Sequence, residues 1–176
     1  NGDCENVSKL DTPGLNFRIM FRIACYYDKP NVAEVLYDLS VKNKQPIDIH
    51  ENNDEIFQNA CYYNAENMAK WLYEFGNKIG SPVNVRINND HAFFLALSNL
   101  NENIARWLYS LNSIDIINSE MIFSKACRNG KKSIAKWIYD LCKNNIHSNR
   151  DEAFRHACMN GHTDVAKWLY SFGHID

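Results

Sequence analysis

Histidine and cysteine are the side chains in this sequence best suited to chemistry, and they come closest together at His156 and Cys158. A thiol nucleophile needs an imidazole base within hydrogen-bond reach. Two positions apart on a helix, these side chains point to different faces, so they cannot work as that pair. His50, His91, His147, His162 and His174 fall in turns or linkers, without the spacing to a cysteine pair that a zinc site requires. The chain has only seven glycines, and they form no phosphate-cradling loop. No catalytic residue, metal ligand or cofactor is expected, and the chain is read as a protein that is not an enzyme.

The cysteines follow a pattern of another kind. Cys25, Cys61, Cys127 and Cys158 each follow an alanine that lies three positions after a phenylalanine. Around them one phrase recurs five times: Phe-x-x-Ala, then nine residues later Ala-Lys-Trp-Leu-Tyr or a near variant. The phenylalanines are Phe21, Phe57, Phe93, Phe123 and Phe154. The alanine pairs are Ala24/Ala33, Ala60/Ala69, Ala96/Ala105, Ala126/Ala135 and Ala157/Ala166. The gap of nine never varies, whereas the phenylalanines stand 36, 36, 30 and 31 apart. A rigid unit on elastic linkers, with a period between about 20 and 50 residues, marks a stacked repeat array. Such arrays present a surface to a partner, so binding is the first expectation.

Each unit reads as two short antiparallel helices. In the last, Phe154, Ala157 and Cys158 share one helical face, Asp151 is placed as an N-terminal cap, and Asn160-Gly161 breaks the helix. Val165, Trp168, Leu169 and Phe172 then mark a second helix that Gly173 ends. Asp54 and Asp90 are placed like Asp151. First helices are expected to begin near 18, 54, 90, 120 and 151. The paired alanines let backbones approach, and Trp71, Trp107, Trp137 and Trp168 are expected to form a buried spine. Residues 1–16 match nothing and are either a capping segment or a tail. The chain begins at Asn1 rather than Met, and Gly173-His174-Ile175-Asp176 resembles the linker starts Ile47-Asp48-Ile49 and Ile114-Asp115-Ile116. More repeats are expected to follow in a longer protein.

Composition agrees with a folded array: 45% of residues are apolar and 12% aromatic, ample for a core. The longest apolar run, Ala92 to Leu97, is far short of the roughly 20 residues of a membrane span, and no signal-peptide pattern opens the chain. Repeat-spaced buried thiols would stand about 10 Å apart, too far for disulfides. Free thiols imply a reducing compartment, cytoplasm or nucleus, where the triplet Asn6-Val7-Ser8 meets no glycosylating enzyme. Net charge is −2, with bases in excess only toward the end. Lys125, Arg128, Lys131, Lys132, Lys143, Arg150 and Arg155 there read as a solvated surface, or as a weak basic stripe for nucleic acid.

The run Ala157-Cys158-Met159-Asn160-Gly161-His162-Thr163-Asp164-Val165-Ala166-Lys167-Trp168-Leu169 resembles the ankyrin-repeat pattern, in which Ala-Ala-x-x-Gly-His precedes the second helix. Asp48-Ile49-His50 and Val83-Asn84-Val85 are similar to the Asp-Val-Asn that follows it. The resemblance covers residues 17–176, and its wording is most similar to the ankyrin-repeat proteins of giant DNA viruses of amoebae. It implies an all-α, ankyrin-type helix-turn-helix solenoid of about five repeats with short or irregular finger loops. It also implies possible hydroxylation at His50, as in substrates of that class. There are departures. Thr-Pro-Leu-His is replaced by Glu-Ala-Phe-Arg and its variants, and Gly-His stands only at Gly161-His162, with Asp28-Lys29, Asn64-Ala65, Leu100-Asn101 and Gly130-Lys131 elsewhere.

The resemblance further implies a concave binding face built from the fingers and the exposed side of the first helices. The residues after each Ala-Cys or its equivalent fall there: Tyr26-Tyr27, Tyr62-Tyr63, Ser98-Asn99, Arg128-Asn129 and Met159-Asn160. Tyr26, Tyr27, Tyr62 and Tyr63 are either interface anchors or packing against the next repeat or residues 1–16. Arg128, Lys132 and Arg155 extend the face with charge, and Glu51, Asn52, Asn88, Asn118 and Asn149 rim it. The expected partner-binding set is Tyr26, Tyr27, Tyr62, Tyr63, Asn99, Arg128, Met159, Asn52 and Asn88. The expected function is a monomeric adaptor holding an unidentified protein, a host protein if the chain is viral, with no membrane contact. A nucleic-acid-binding array or a structural spacer are the alternatives.

Overall fold

The computed structural model describes residues 16–111, 114, 116, 119–143 and 148–173. They fold into helices joined by turns, with no strand among the described residues. The chain forms two compact units, Asn1–Asn112 and Ser113–Asp176. The first holds α1 (Phe17–Tyr26), α2 (Pro30–Lys42), α3 (Glu51–Tyr62), α4 (Glu66–Lys78), α5 (Ile87–Ser98) and α6 (Glu102–Leu111). The second holds α7 (Ser119–Arg128), α8 (Lys132–Cys142), α9 (Ser148–Met159) and α10 (Thr163–Tyr170).

Within the first unit α1 lies on α3 and α3 on α5, while α2 lies on α4 and α4 on α6. First helices thus make one layer and second helices another. In the second unit α7 packs on both α8 and α9, and α9 on α10.

A backbone relay fixes the constant gap between the alanines. The carbonyl of the first alanine accepts the N–H five residues on, and that residue's carbonyl accepts the N–H of the second alanine four residues further. The bonds run Lys29 N to Ala24 O at 2.9 Å and Ala33 N to Lys29 O at 3.1 Å. Ala65, Asn101, Lys131 and His162 occupy the middle position in the other pairs, with bonds of 2.8 to 3.0 Å. Each turn also contains one left-handed residue, Asp28, Asn64, Leu100, Gly130 or Gly161, with φ from 54° to 73°. This is the hydrogen-bonded close of a Schellman-type C-cap. The backbone enforces the spacing, so the Gly-His wording can vary.

The core is built from the repeated positions. Phe21, Phe57 and Phe93 are fully buried, as are Ala33, Ala69, Ala105 and Ala135. Burying one such phenylalanine contributes about 1.5–3 kcal/mol. Successive pairs are locked by aromatic contacts: Phe21 meets Trp71 at 6.2 Å, Phe57 meets Trp107 at 6.3 Å, and Phe123 meets Trp168 at 6.1 Å between ring centroids. The expected buried tryptophan spine is corrected here. Trp71, Trp107, Trp137 and Trp168 are only partly buried, because an indole at the edge of the layer is too large to be covered entirely. Leu36, Leu72, Leu108, Ile138 and Leu169, one position further on, are the closed core.

The first helices open in an unexpected way. Asn52, Asn53 and Asp54 have φ of 53°, 60° and 57°, and Asn88, Asn89 and Asp90 repeat this at 52°, 57° and 62°. Arg150 and Asp151 are left-handed as well. Asn and Asp enter this region at lower cost than other non-glycine residues. The reading of Asp54 and Asp90 as ordinary N-caps is corrected. Their buried carboxylates turn back to the residue four positions earlier, Asp54 to His50 at 2.5 Å and Asp90 to both Arg86 nitrogens at 2.9 Å.

Candidate functional site

The exposed end of α1 and α3 carries four tyrosines. Tyr26, Tyr27, Tyr62 and Tyr63 are 56%, 65%, 42% and 53% exposed. Helix geometry puts them there: each pair follows the buried Ala-Cys that faces the core. Their rings form one continuous chain, Tyr62 to Tyr63 at 4.8 Å, Tyr63 to Tyr26 at 5.1 Å and Tyr26 to Tyr27 at 5.2 Å, each contact edge-to-face. The contact between Tyr26 and Tyr63 crosses from one helix pair to the next. A cavity of about 220 Å³ opens beside it, lined by Arg22, Cys25, Tyr26, Ile56, Asn59, Ala60 and Tyr63.

Charges beside the cavity are paired. Arg22 reaches both carboxylate oxygens of Glu55 at 3.2 Å, and Arg18 pairs with Glu51. Hydrogen bonds from Arg22 and from Asn52 hold the Glu55 carboxyl below its ordinary range. At the cavity wall, burial raises the Cys25 thiol to about 12, with Arg22 opposing in part. Cys25 is therefore a neutral apolar lining group rather than a nucleophile. Burial likewise raises Cys127 to about 12 and moves Cys61 upward. Cys25, Cys61, Cys127, Cys142 and Cys158 are free thiols. Cys158, expected to be buried, is exposed: α3 is covered by α5 and α7 by α9, and no such helix lies over α9 among the described residues.

The other expected positions fall apart from this patch. Asn99 is exposed, and its amide closes α5 by donating to Leu95 O at 2.9 Å. Asn52 and Asn88 are exposed inside the left-handed segments, and Asn52 donates to Glu55 at 2.9 Å. Both asparagines thus shape their own turns. In the second unit Arg128 lies on His156, with Nη2 3.2 Å from Nδ1, and approaches Glu152 at 3.8 Å. Met159 is 81% exposed. The side chains of Asn118 and Asn149, and residues 1–15, lie outside the described residues.

A Ser-His-Asp array that no local pattern signals joins distant parts of the first unit. His50 Nδ1 meets Asp54 Oδ1, while Nε2 lies 2.8 Å from Ser81 Oγ and 3.1 Å from Ser81 O. Asp54 Oδ2 accepts Asn84 N at 3.2 Å. The order matches a hydrolase triad, but Nε2 is shared with the serine's own carbonyl. When Nε2 carries a proton it donates to that carbonyl, and the hydroxyl then has no base. The array works as a clasp that fastens the linker after α4 to the start of α3. Two further ties cross between pairs: Asp28 accepts Met68 N at 2.6 Å, and Asn101 donates to Cys61 O and Tyr62 O at 2.9 Å.

Comparison with protein-family models, curated proteins and solved structures finds no match to the chain. Among the described residues there is no cluster of potential metal ligands and no helix long and apolar enough to cross a membrane.

Proposed function

We propose that the chain is an ankyrin-type array of about five helix pairs that binds another protein and does no chemistry of its own. The observation that carries this reading is the tyrosine patch, four exposed and mutually ordered rings spanning two helix pairs beside a cavity. Tyrosine gives large contact area at low entropic cost, and rings already held by one another lose little freedom when a partner arrives. The ankyrin assignment is supported by the paired small residues, by a turn of constant geometry where the Gly-His wording falls, and by second helices layered behind the first. A reducing location, cytoplasm or nucleus, agrees with the free thiols. The nucleic-acid reading draws less support, because Arg128 is engaged by His156 and Glu152.

The test is a pull-down with the chain and with a variant carrying Tyr26, Tyr27, Tyr62 and Tyr63 as Ser, after both are shown to melt alike. A protein held by the parent and lost by the variant supports the reading. Equal retention of every protein by both would place binding elsewhere and overturn it.

A further inference from the structure

We propose that the tyrosine face receives a neutral, proline-rich segment in the polyproline II conformation. This rests on the protein-binding reading above and names its ligand class.

Spacing is the first argument. Successive rings along Tyr62, Tyr63 and Tyr26 stand roughly 5 Å apart and nearly perpendicular, which makes alternating ridges and clefts. Two such steps match the rise of about 9 Å over one three-residue turn of polyproline II. Prolines three positions apart therefore meet equivalent places, one of them over the cavity between Tyr26 and Tyr63.

Charge is the second. Arg18 and Arg22 are paired with Glu51 and Glu55, so the rim presents two charges of each sign and no net field. A strongly charged peptide would have to break these pairs to gain anything, whereas a neutral one leaves them intact.

Hydrogen bonding is the third. A polyproline backbone is rich in carbonyls and poor in N–H groups, so its receptor must donate. The tyrosines offer hydroxyl groups, and among the described residues their contacts are with one another's rings rather than with acceptors. Other peptide modes fit less well. Strand addition needs a sheet edge, and the described residues include no strand. A docked helix needs a long apolar groove, and the patch spans two helix pairs. A preformed polyproline helix also sacrifices little entropy on a rigid face.

The experiment is a fluorescence-polarisation titration with labelled decaproline, alongside a Gly-Ser peptide of equal length. Saturable binding of decaproline alone is expected. Combining Tyr26→Ala with Tyr63→Ala should weaken it at least about tenfold, and the corresponding Phe pair should weaken it less, since only the hydroxyls are lost. Both tyrosines are more than half exposed, and matching melting curves would show that the fold is retained. Failure of decaproline to saturate below about 1 mM, or equal binding by the alanine pair, overturns the proposal. A displayed library of mixed-sequence peptides separates the two claims. If proline-free peptides bind and are lost in the alanine pair, the proline assignment falls and protein binding at this face stands. If neither decaproline nor the library binds there, both fall.

Discussion

Replacing Gly130 by alanine isolates how one helix pair leans on the next. Gly130 is the left-handed residue of the turn between α7 and α8, with φ +67°, and a Cβ built there would lie 2.5 Å from His162 Nδ1 and 2.8 Å from Cε1. Gly161 holds the same place in the next pair at φ +73°, and a Cβ there would meet nothing within 4 Å. Gly161→Ala should therefore cost only the left-handed penalty, about 1–2 kcal/mol. Gly130→Ala should cost that plus about 1–3 kcal/mol for displacing the imidazole. Urea unfolding of Gly130→Ala, Gly161→Ala, His162→Ala and the Gly130→Ala/His162→Ala pair gives the double-mutant cycle. With the imidazole removed, the cost of Gly130→Ala should fall to that of Gly161→Ala. Equal costs in the presence of His162, or no relief in its absence, would refute the packing of His162 over Gly130.

Phe57→Ala should destabilise by roughly 3–5 kcal/mol and Trp107→Ala by about 2–3, because the phenylalanine is fully closed and the indole is not; the reverse order in thermal melts would show that the layers are misjudged. Stability should decline as pH rises above 9: the native thiols of Cys25 and Cys127 keep their protons to about 12, while unfolded thiols lose them from 9, so the unfolded state binds fewer protons. A C25A/C61A/C127A variant compared by urea unfolding at neutral and alkaline pH should lose that slope. Ellman's reagent should modify exposed Cys158 rapidly and leave buried Cys61 untouched until unfolding, a difference read by peptide mapping. Asp54→Asn should cost about 1–3 kcal/mol by removing the charge that holds His50 and Asn84 N. Asparagine tolerates the left-handed φ, so an effect near zero in urea would mean that the clasp contributes nothing.

What could be read from the sequence was what repeats at short range. The constant gap between alanines, the alternation of two apolar faces and the outward pairs after Ala-Cys are local patterns, and the structure shows helices and exposure at these places. The left-handed Asn52-Asn53-Asp54 segment was hidden, because Asp before an apolar helix reads first as a cap, and only the backbone shows it turning the other way. Ser81 was invisible as a partner of His50 because 31 residues separate them. The tryptophans were overrated because repetition identifies a structural position without saying how much of a large ring the neighbour covers. The ring chain on the tyrosine face depended on the register between α1 and α3, which brings Tyr26 onto Tyr63 and which no composition records.

The turn relay also bears on how such a chain can change its length. Inserting one residue between the paired alanines would rotate the second helix by about 100°, break both relay bonds and carry the apolar stripe away from its neighbour. The segments between pairs face no such arithmetic, and they already differ in length while buried side chains such as Ile47, Val83 and Ile114 anchor them. Gains and losses of residues can therefore accumulate in the segments between pairs, and whole helix pairs can be copied, removed or exchanged there. The nine-residue interval is inherited intact, a ruler that survives when nearly every letter along it has been rewritten.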